Sequence, residues 1–425
     1  MSADRNEVEV VKPPRVGRRS GMFRALSHRN YRLFWGGAFV SNTGTWMQAV
    51  AQGWLVFQLS NSPFWLGLDA FVGMAPGIVL TLAGGVFADL VDRRRLLIYT
   101  QIVSGLSALA LGLLVATHVV QVWMILVLSF VTGSCFSLAG PSYQAITFDL
   151  VGREDVTNAV GLNSMQFQLS RVLGPVLAGI GFRVFGLAGC FFANAASFVA
   201  VIGALSMVRF DAVADAAPPA PREKGSFLRD LFDGFRYVRN RPRVSMLLVI
   251  SSVTSLFGAP YLSMTPVFAR DIFHLGETGL AMMMGVAGAG AFLGALVITY
   301  LGDFKRKGLT VLGGALAFGL CLIGFALSTN LVVSLIFLFS LGFAIVMSVA
   351  VTNTLLQKLI TNEMRGRVMS MFMLSFIGAM PIGNLIAGVV SARFGVPHTL
   401  AAGGVIISLF VAVVTMRSSR LRELY

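Results

Sequence analysis

Residues Gly85 to Leu97 read GVFADLVDRRRLL, a short charged stretch between two long apolar runs. Leu66 to Ala88 precedes the charges and is interrupted by one acid; Leu96 to Thr117 follows with no charge at all. A hydrocarbon layer about 30 Å thick needs roughly 20 apolar helical residues to cross it, so both runs read as membrane spans and the charged stretch as their aqueous turn. Positive charge is retained in the cytoplasm during insertion, so Arg93, Arg94 and Arg95 place this turn inside.

The same pattern repeats along the 425 residues, which are 56% hydrophobic and only 12% charged. That balance excludes an ordinary soluble domain. Twelve spans are predicted, at about 33 to 57, 65 to 88, 95 to 117, 121 to 145, 157 to 182, 186 to 208, 245 to 269, 278 to 301, 309 to 328, 330 to 356, 368 to 391 and 398 to 417. With the N-terminus in the cytoplasm, 29 of the 33 Lys and Arg fall inside, Arg183, Arg270 and Arg393 fall outside, and Arg171 lies within a span. The net charge of +14 is therefore an orientation signal and does not point to nucleic acid. Both termini are expected in the cytoplasm. Cys135, Cys190 and Cys321 sit in separate apolar runs and suit neither a disulfide framework nor a metal site. The first 30 residues lack the short apolar core of a cleavable signal peptide.

Between the sixth and seventh predicted spans the apolar pattern breaks. Ala216 to Pro221 reads AAPPAP, and Phe227, Leu228, Leu231, Phe232, Phe235 and Val238 recur at helical spacing among basic residues, as in an amphipathic helix on the membrane surface. The chain thus divides into a basic N-terminal segment (1–32), a first group of six spans (33–208), a linker (209–244), a second group of six (245–417) and a short tail (418–425). Phe23 to Trp35 mixes basic and aromatic residues and reads either as an inner-leaflet anchor or as a topology signal alone.

Gly85, Ala88, Asp89, Arg93 and Arg94 follow a Gly-x-x-Ala-Asp-x-x-x-Arg-Arg spacing that resembles the signature loop between the second and third spans of the major facilitator superfamily of secondary transporters. Leu90 stands where that family usually has a basic residue, and Asp92 where it usually has glycine. Asp92 to Arg95 is similar to the variant of the exporter branch that includes the enterobactin exporter. The resemblance implies an all-α integral membrane protein with twelve helices in two pseudo-symmetric six-helix bundles. It further implies a monomeric carrier in the bacterial inner membrane that uses the proton gradient, without a cofactor, to export a hydrophobic or amphipathic molecule such as a siderophore or drug. The same fold also serves uptake symporters and lysolipid transporters. A membrane receptor or enzyme is the competing class, against which stand the absence of a large soluble domain and of a nucleophile and base at helical spacing within a span. No Gly-x-x-x-x-Gly-Lys loop is present, and Gly288 and Gly290 lie inside an apolar helix, so the expected energy source is an ion gradient.

Within that frame, Gly85, Asp89, Arg93 and Arg94 would latch against Arg365 and Gly366 at the start of the eleventh span, or Asp89 would form a simple surface pair. Gly161, Ser170, Gly174, Pro175 and Gly179 resemble the fifth-span Gly-Pro motif of proton-coupled antiporters, or serve only close helix packing. Two ionisable groups lie inside spans, where an isolated charge is costly. Asp69 would exchange a proton with the periplasm, or lie ionised at the interface. Arg171 would order a gate or receive an anionic group, or tie to a carbonyl or to Asp149.

In span one, Asn42, Thr45, Gln48 and Gln52 share one arc with Trp46 beside it, a stripe that lipid does not reward. It is expected to face a central cavity. Tyr143, Gln144, Asn163, Gln166, Tyr261 and Asn353 are further candidates, together with Thr254, Ser255 and Gln357, each of which could instead make an interhelical hydrogen bond. Amides and aromatics without fixed charge suit an amphipathic substrate. Met282 to Met284 read as packing.

Overall fold

The computed structural model describes residues 23–90, 92–208, 234–302, 304–361 and 363–417, without the side chains at 79, 81–90 and 153. Nearly all of them are helical, with no strand among the described residues. Helices satisfy every backbone group internally, which is what a chain surrounded by hydrocarbon requires. In order they are α1 (Arg29–Ser60), α2 (Pro63–Leu90), α3 (Arg93–Ala116), α4 (Val122–Gly152), α5 (residues 153–184), α6 (Gly186–Met207), α7 (Pro242–Ile272), α8 (Glu277–Leu301), α9 (Lys307–Leu327), α10 (Leu331–Leu359), α11 (Arg365–Phe394) and α12 (Val396–Arg417).

Among the described residues, nine stretches are long and apolar enough to cross a membrane. The helices α1, α2 and α5 fall outside that set. Of these, α1 and α5 carry the polar stripe and Arg171, the surface they turn inward, while α2 carries Asp69 and its side chains at 79 and 81–90 lie outside the described residues. On the outside the molecule presents apolar side chains such as Leu106, Phe130, Val199, Ile336 and Leu409. So extended an apolar exterior belongs in lipid. This is a multi-pass membrane protein.

Two sequence expectations need correcting. The polar stretch at 146–156 was expected to be a turn between spans, yet Val122–Val184 is one helical run broken only at Gly152 (φ 69°, ψ −178°). A positive φ of that kind suits glycine, so the chain reverses on a single residue and the helices continue almost to it. The segment after Phe23 is also better anchored than a leaflet or topology signal would be. Arg24–Ser27 forms a 3-10 turn, and the main-chain N–H of Ala25 donates to Asn158 (2.8 Å). Arg24 and His28 both meet the buried Asp155 carboxylate at 2.8 Å, while Tyr31 donates to the Ala159 carbonyl (2.9 Å) and Trp35 to that of Leu162 (3.1 Å). The basic and aromatic residues of this segment thus bind α5, and α1 begins at Arg29. Of the expected surface helix, only 234–239 is described as helical; Ala216 to Pro221 and Phe227 to Phe232 lie outside the described residues.

Helices α1 to α6 pack on one another, as do α7 to α12. The two sets meet most extensively along two pairs, α2 with α11 and α5 with α8, with smaller contacts from α1 and α2 to α7 and from α1 to α8. Advancing each number by six turns one pair into the other, which is the contact pattern of a two-fold relation. The ends bearing Arg32, Arg93, Arg365 and Arg417 form a basic rim; Asn61, His118, Phe185, His274 and Phe394 lie at the opposite end. Among the described residues, close contacts between the sets lie at mid-depth and toward that opposite end. Gly67 lies against the Asn384 carbonyl and Gly388, Gly288 lies against the Arg171 carbonyl, and Gln168 donates to the Ala291 carbonyl (3.3 Å).

Candidate functional site

A cavity of about 590 Å³ opens among the helices, a size typical of sites for drug-like molecules. Asn42, Thr45, Trp46, Gln48 and Gln52 of α1 all line it, so the polar arc predicted from 100° per residue does face a cavity. Tyr143 and Gln144 of α4 and Asn163 and Gln166 of α5 line it as well. Tyr261 and Asn353 do not. Tyr261 is buried, with its hydroxyl 3.4 Å from the Arg171 guanidinium, and Asn353 accepts a hydrogen bond from Gln357 one turn away (2.6 Å). Thr254 and Ser255 are buried too, Ser255 donating to the Phe376 carbonyl.

One continuous chain of hydrogen bonds crosses the cavity wall. Ser197 donates to the Asn194 side-chain carbonyl (3.0 Å), and Asn194 donates to that of Gln48 (2.7 Å). Gln48 in turn approaches the Gln52 carbonyl (3.5 Å), one helical turn on. The Gln52 amide donates to both Asp69 (2.8 Å) and the Ser129 hydroxyl (2.9 Å), and Ser129 donates to the other Asp69 oxygen (2.6 Å). The chain therefore links α6, α1, α2 and α4, and it ends on a carboxyl. Among the described residues no Lys or Arg forms an ion pair with Asp69. Its two partners suit either protonation state: an ionised carboxylate accepts from both, and a protonated one can donate to Ser129, whose hydroxyl can accept in return.

Arg171 does not meet the expected Asp149, which pairs with Arg93 (3.3 Å). Its guanidinium instead reaches across three helices, over the Trp46 ring of α1 (5.6 Å to the centre) and to Tyr261 of α7. The fifth-span residues around it are contact surfaces. Ser170 accepts from Thr43 (3.1 Å), a Cβ on Gly174 would lie 2.3 Å from that of Trp46, and one on Gly179 would lie 3.3 Å from that of Ala281. Pro175 is buried on the same face, whereas Gly161 has open space around it. Small residues thus let α5 press on α1 and α8 at once.

Of the expected latch, the side chains of Gly85 and Asp89 lie outside the described residues. Arg93 and Arg94 hold the start of α3 to its own neighbours: Arg93 pairs with Asp149 of α4, and Arg94 donates to the Ser206 carbonyl at the end of α6 (2.8 Å). Asp92, the departure from the family pattern, caps α3 by accepting from the Arg95 N–H (2.8 Å). Arg365 and Gly366 begin α11, whose first turn has no side-chain cap, and a Cβ on Gly366 would meet nothing within 4 Å.

Sequence reasoning missed Gln101 and Ser104 on α3 and Asn194 and Phe198 on α6, which also line the cavity. On α3 a signal was available, since Thr100, Gln101, Ser104 and Ser107 recur at helical spacing in an uncharged span and the first three line the cavity. On α6 the signal was an unexplained amide at Asn194 in an apolar span.

Compared with known proteins, residues 20–425 match the family model described as transmembrane secretion effector. The chain belongs to that family, within the efflux branch of the major facilitator superfamily. It is 26% identical over 394 residues to the multidrug efflux pump Tap of Mycolicibacterium fortuitum, covering 91% of this chain and 95% of that protein. It is 22% identical over 412 residues to macrolide efflux protein A of Streptococcus pyogenes (93% and 98% covered) and 24% identical over 405 residues to the enterobactin exporter EntS of Escherichia coli (93% and 94%). Among solved structures, a bacterial homologue of the lysosomal transporter Spinster, inward-facing and unoccupied, superposes with a TM-score of 0.70 at 16% identity, over 94% of this chain and 98% of that one. The nucleoside transporter NupG gives 0.72 at 12% identity, over 90% and 99%. At such identities these structures speak for the fold. The relatives are transporters, and the family is one of carriers, not enzymes.

Proposed function

We propose that the protein exports an amphipathic small molecule from the bacterial cytoplasm by alternating access, driven by protons that bind and leave Asp69. In this reading all of α1 to α12 cross the inner membrane, the basic rim lies inside, and the halves α1 to α6 and α7 to α12 rock about the α2–α11 and α5–α8 pairs. The protein works as a monomer. Contacts between the sets at mid-depth and toward the opposite end, among the described residues, support reading this conformation as inward-facing. The observation that carries the proposal is the carboxyl at the end of a buried amide chain, in the wall of the cavity, with neutral partners that tolerate gain or loss of a proton.

Loss of that proton breaks the hydrogen bond a protonated Asp69 gives Ser129 and turns the Gln52 amide and the Ser129 hydroxyl toward the carboxylate. Because Gln52 sits between Asp69 and Gln48, the change reaches α1 and α6 directly. The proton is thereby coupled to the helices that line the substrate's space. Latching by Asp89 against Arg365 and Gly366 belongs to the outward-facing state, in which the basic ends close.

Inside-out membrane vesicles energised to an acid interior test this with labelled erythromycin, chosen because a relative is a macrolide efflux protein. Accumulation that exceeds empty-vector vesicles and collapses with nigericin is expected. Asp69→Asn should reduce it to background while leaving the protein folded and inserted. Accumulation insensitive to the proton gradient, or higher macrolide content in whole cells on expression, would overturn the reading.

A further inference from the structure

The cavity is lopsided. Its walls come almost wholly from α1 to α6, including α3 and α6, which stand behind the surface where the two sets of helices meet. From the second set only Leu262, Ser263, Pro266, Leu280 and Met284 reach it. Its polar groups are otherwise amides and hydroxyls, and Asp69 is the one charged side chain in the wall among the described residues. No Lys or Arg lines it; the nearby Arg171 is committed to Tyr261 and the Trp46 face. The aromatic part of the wall is built around Trp46, whose ring meets that of Phe167 edge-on with centres 5.9 Å apart.

We propose that the transported molecule is an amphipathic organic cation, and that it is held inside the first six helices instead of midway between the two sets. This rests on the transport reading above and names the substrate class for the same cavity. A positively charged nitrogen takes its place near the Asp69 carboxylate, which the protein supplies only with neutral donors. The apolar body lies on Trp46 and Phe167, and the ring face adds attraction for the cation. Gln101 from α3 and Asn194 from α6 supply hydrogen-bond partners at the back of the cavity. An anionic molecule, such as a carboxylate-rich or catecholate chelator, finds no cation in this wall and meets a carboxylate of its own sign. By this reasoning the chain parts from the enterobactin exporter among its relatives in the charge of its substrate.

Tetraphenylphosphonium and tetraphenylborate have nearly the same size and shape and opposite charge, so they separate charge from fit. Each, radiolabelled, is dialysed to equilibrium against the purified full-length protein in uncharged detergent, with protein-free micelles subtracted. The phosphonium is expected to bind at least tenfold more tightly than the borate. Asp69→Asn should weaken the phosphonium at least tenfold and should strengthen the borate, which no longer meets a like charge. Gln101→Leu, on α3, should weaken the phosphonium severalfold, whereas Asn353→Leu, on α10 outside the cavity, should leave it unchanged; circular dichroism and gel-filtration profiles show that each variant is folded.

Equal or tighter binding of the borate overturns the charge assignment. Sensitivity to Asn353→Leu without sensitivity to Gln101→Leu overturns the location. Gradient-driven macrolide export with no preference for the phosphonium would sink this inference and leave the export reading standing. Tight phosphonium binding without any export would do the reverse.

Discussion

The Arg270 guanidinium lies flat over Phe57, its carbon 3.8 Å from the ring centre, and so joins α7 to the end of α1 at the face opposite the basic rim. The same side chain donates to the Phe57 carbonyl (3.3 Å) and to the Asn61 side chain, while Asp271 accepts from its Nε (2.8 Å). Phe57 is in the last turn of α1, and Asn61, in the left-handed region (φ 49°), ends that helix. A cation here gives a second partner to a carbonyl that already accepts from the Asn61 N–H (2.9 Å), and it faces the negative end of the helix dipole.

From this contact we predict that Arg270→Ala favours opening at that face. A partly buried cation–π contact is worth about 0.5–2 kcal/mol, so the population should shift by roughly twofold to thirtyfold. Spin labels at Ser62 and His274, measured by pulsed electron resonance, should show a longer distance at a larger fraction than in the parent. An unchanged distribution would mean that Arg270 serves only as a topological charge.

The helix pair that closes this face depends on glycines with no room for a methyl group. A Cβ on Gly67 would sit 2.4 Å from the Asn384 carbonyl oxygen and 2.7 Å from the Gly388 Cα, both backbone atoms that cannot swing aside. Gly67→Ala should therefore hold α2 and α11 apart and cut transport at least tenfold without unfolding the protein. Gly313→Ala, where nothing lies within 4 Å, is the matched control and should be neutral. Equal activity of the two variants in the vesicle assay would refute the close-packing argument.

How much of this was legible in the sequence differs from element to element, for physical reasons. Hydropathy marks the spans because apolar length is set by the bilayer, and the α1 stripe is legible because Asn42, Thr45, Gln48 and Gln52 recur with the period of the helix. Asn194 was not, since a lone amide carries no period and only tertiary packing brings it within 2.7 Å of Gln48, whereas Gln101 belongs to a polar run with Thr100, Ser104 and Ser107 that went unread. Tyr261 and Asn353 were placed by analogy between the two halves. The analogy fails locally because Tyr261 is taken up by Arg171 and Asn353 by Gln357. The turn at Gly152 was overestimated because its charged residues look like loop, when one glycine suffices for the reversal.

Asp155 gives a prediction at the other end of the molecule. Its side chain is buried to 8% exposure and bridges Arg24 and His28, each at 2.8 Å, while Glu154 adds a weaker contact to Arg24 (3.2 Å). Asp155→Asn removes the charge that Arg24 and His28 face and should free the segment ahead of α1. Trypsin should then cut after Arg24 or Arg29 at a rate at least several-fold above that of the parent, with Glu154→Gln producing a much smaller change because that carboxylate is 82% exposed and screened by water. Resistance of the Asp155 variant to cleavage would show that Tyr31 and Trp35 suffice to hold the segment.

Arg171 poses the sharpest choice between charge and geometry, because its half-buried guanidinium faces a phenol and an indole and forms no ion pair with a carboxylate among the described residues. Its planar fork reaches Tyr261 while its flat face covers Trp46, and a lysine ammonium, being a compact point charge, can serve only one of them. If the span across α1, α5 and α7 is what matters, Arg171→Lys keeps the charge yet loses most transport, about tenfold or more, and Tyr261→Phe shows a smaller loss of the same kind by leaving one donor unpaired. If only the positive charge matters, for instance by repelling cations from the gate, lysine restores transport nearly in full and Arg171→Met does not. Initial rates of gradient-driven export for the three variants, at matched protein levels, separate these outcomes. The wide reach of the guanidinium, from one set of helices to the other, favours the first.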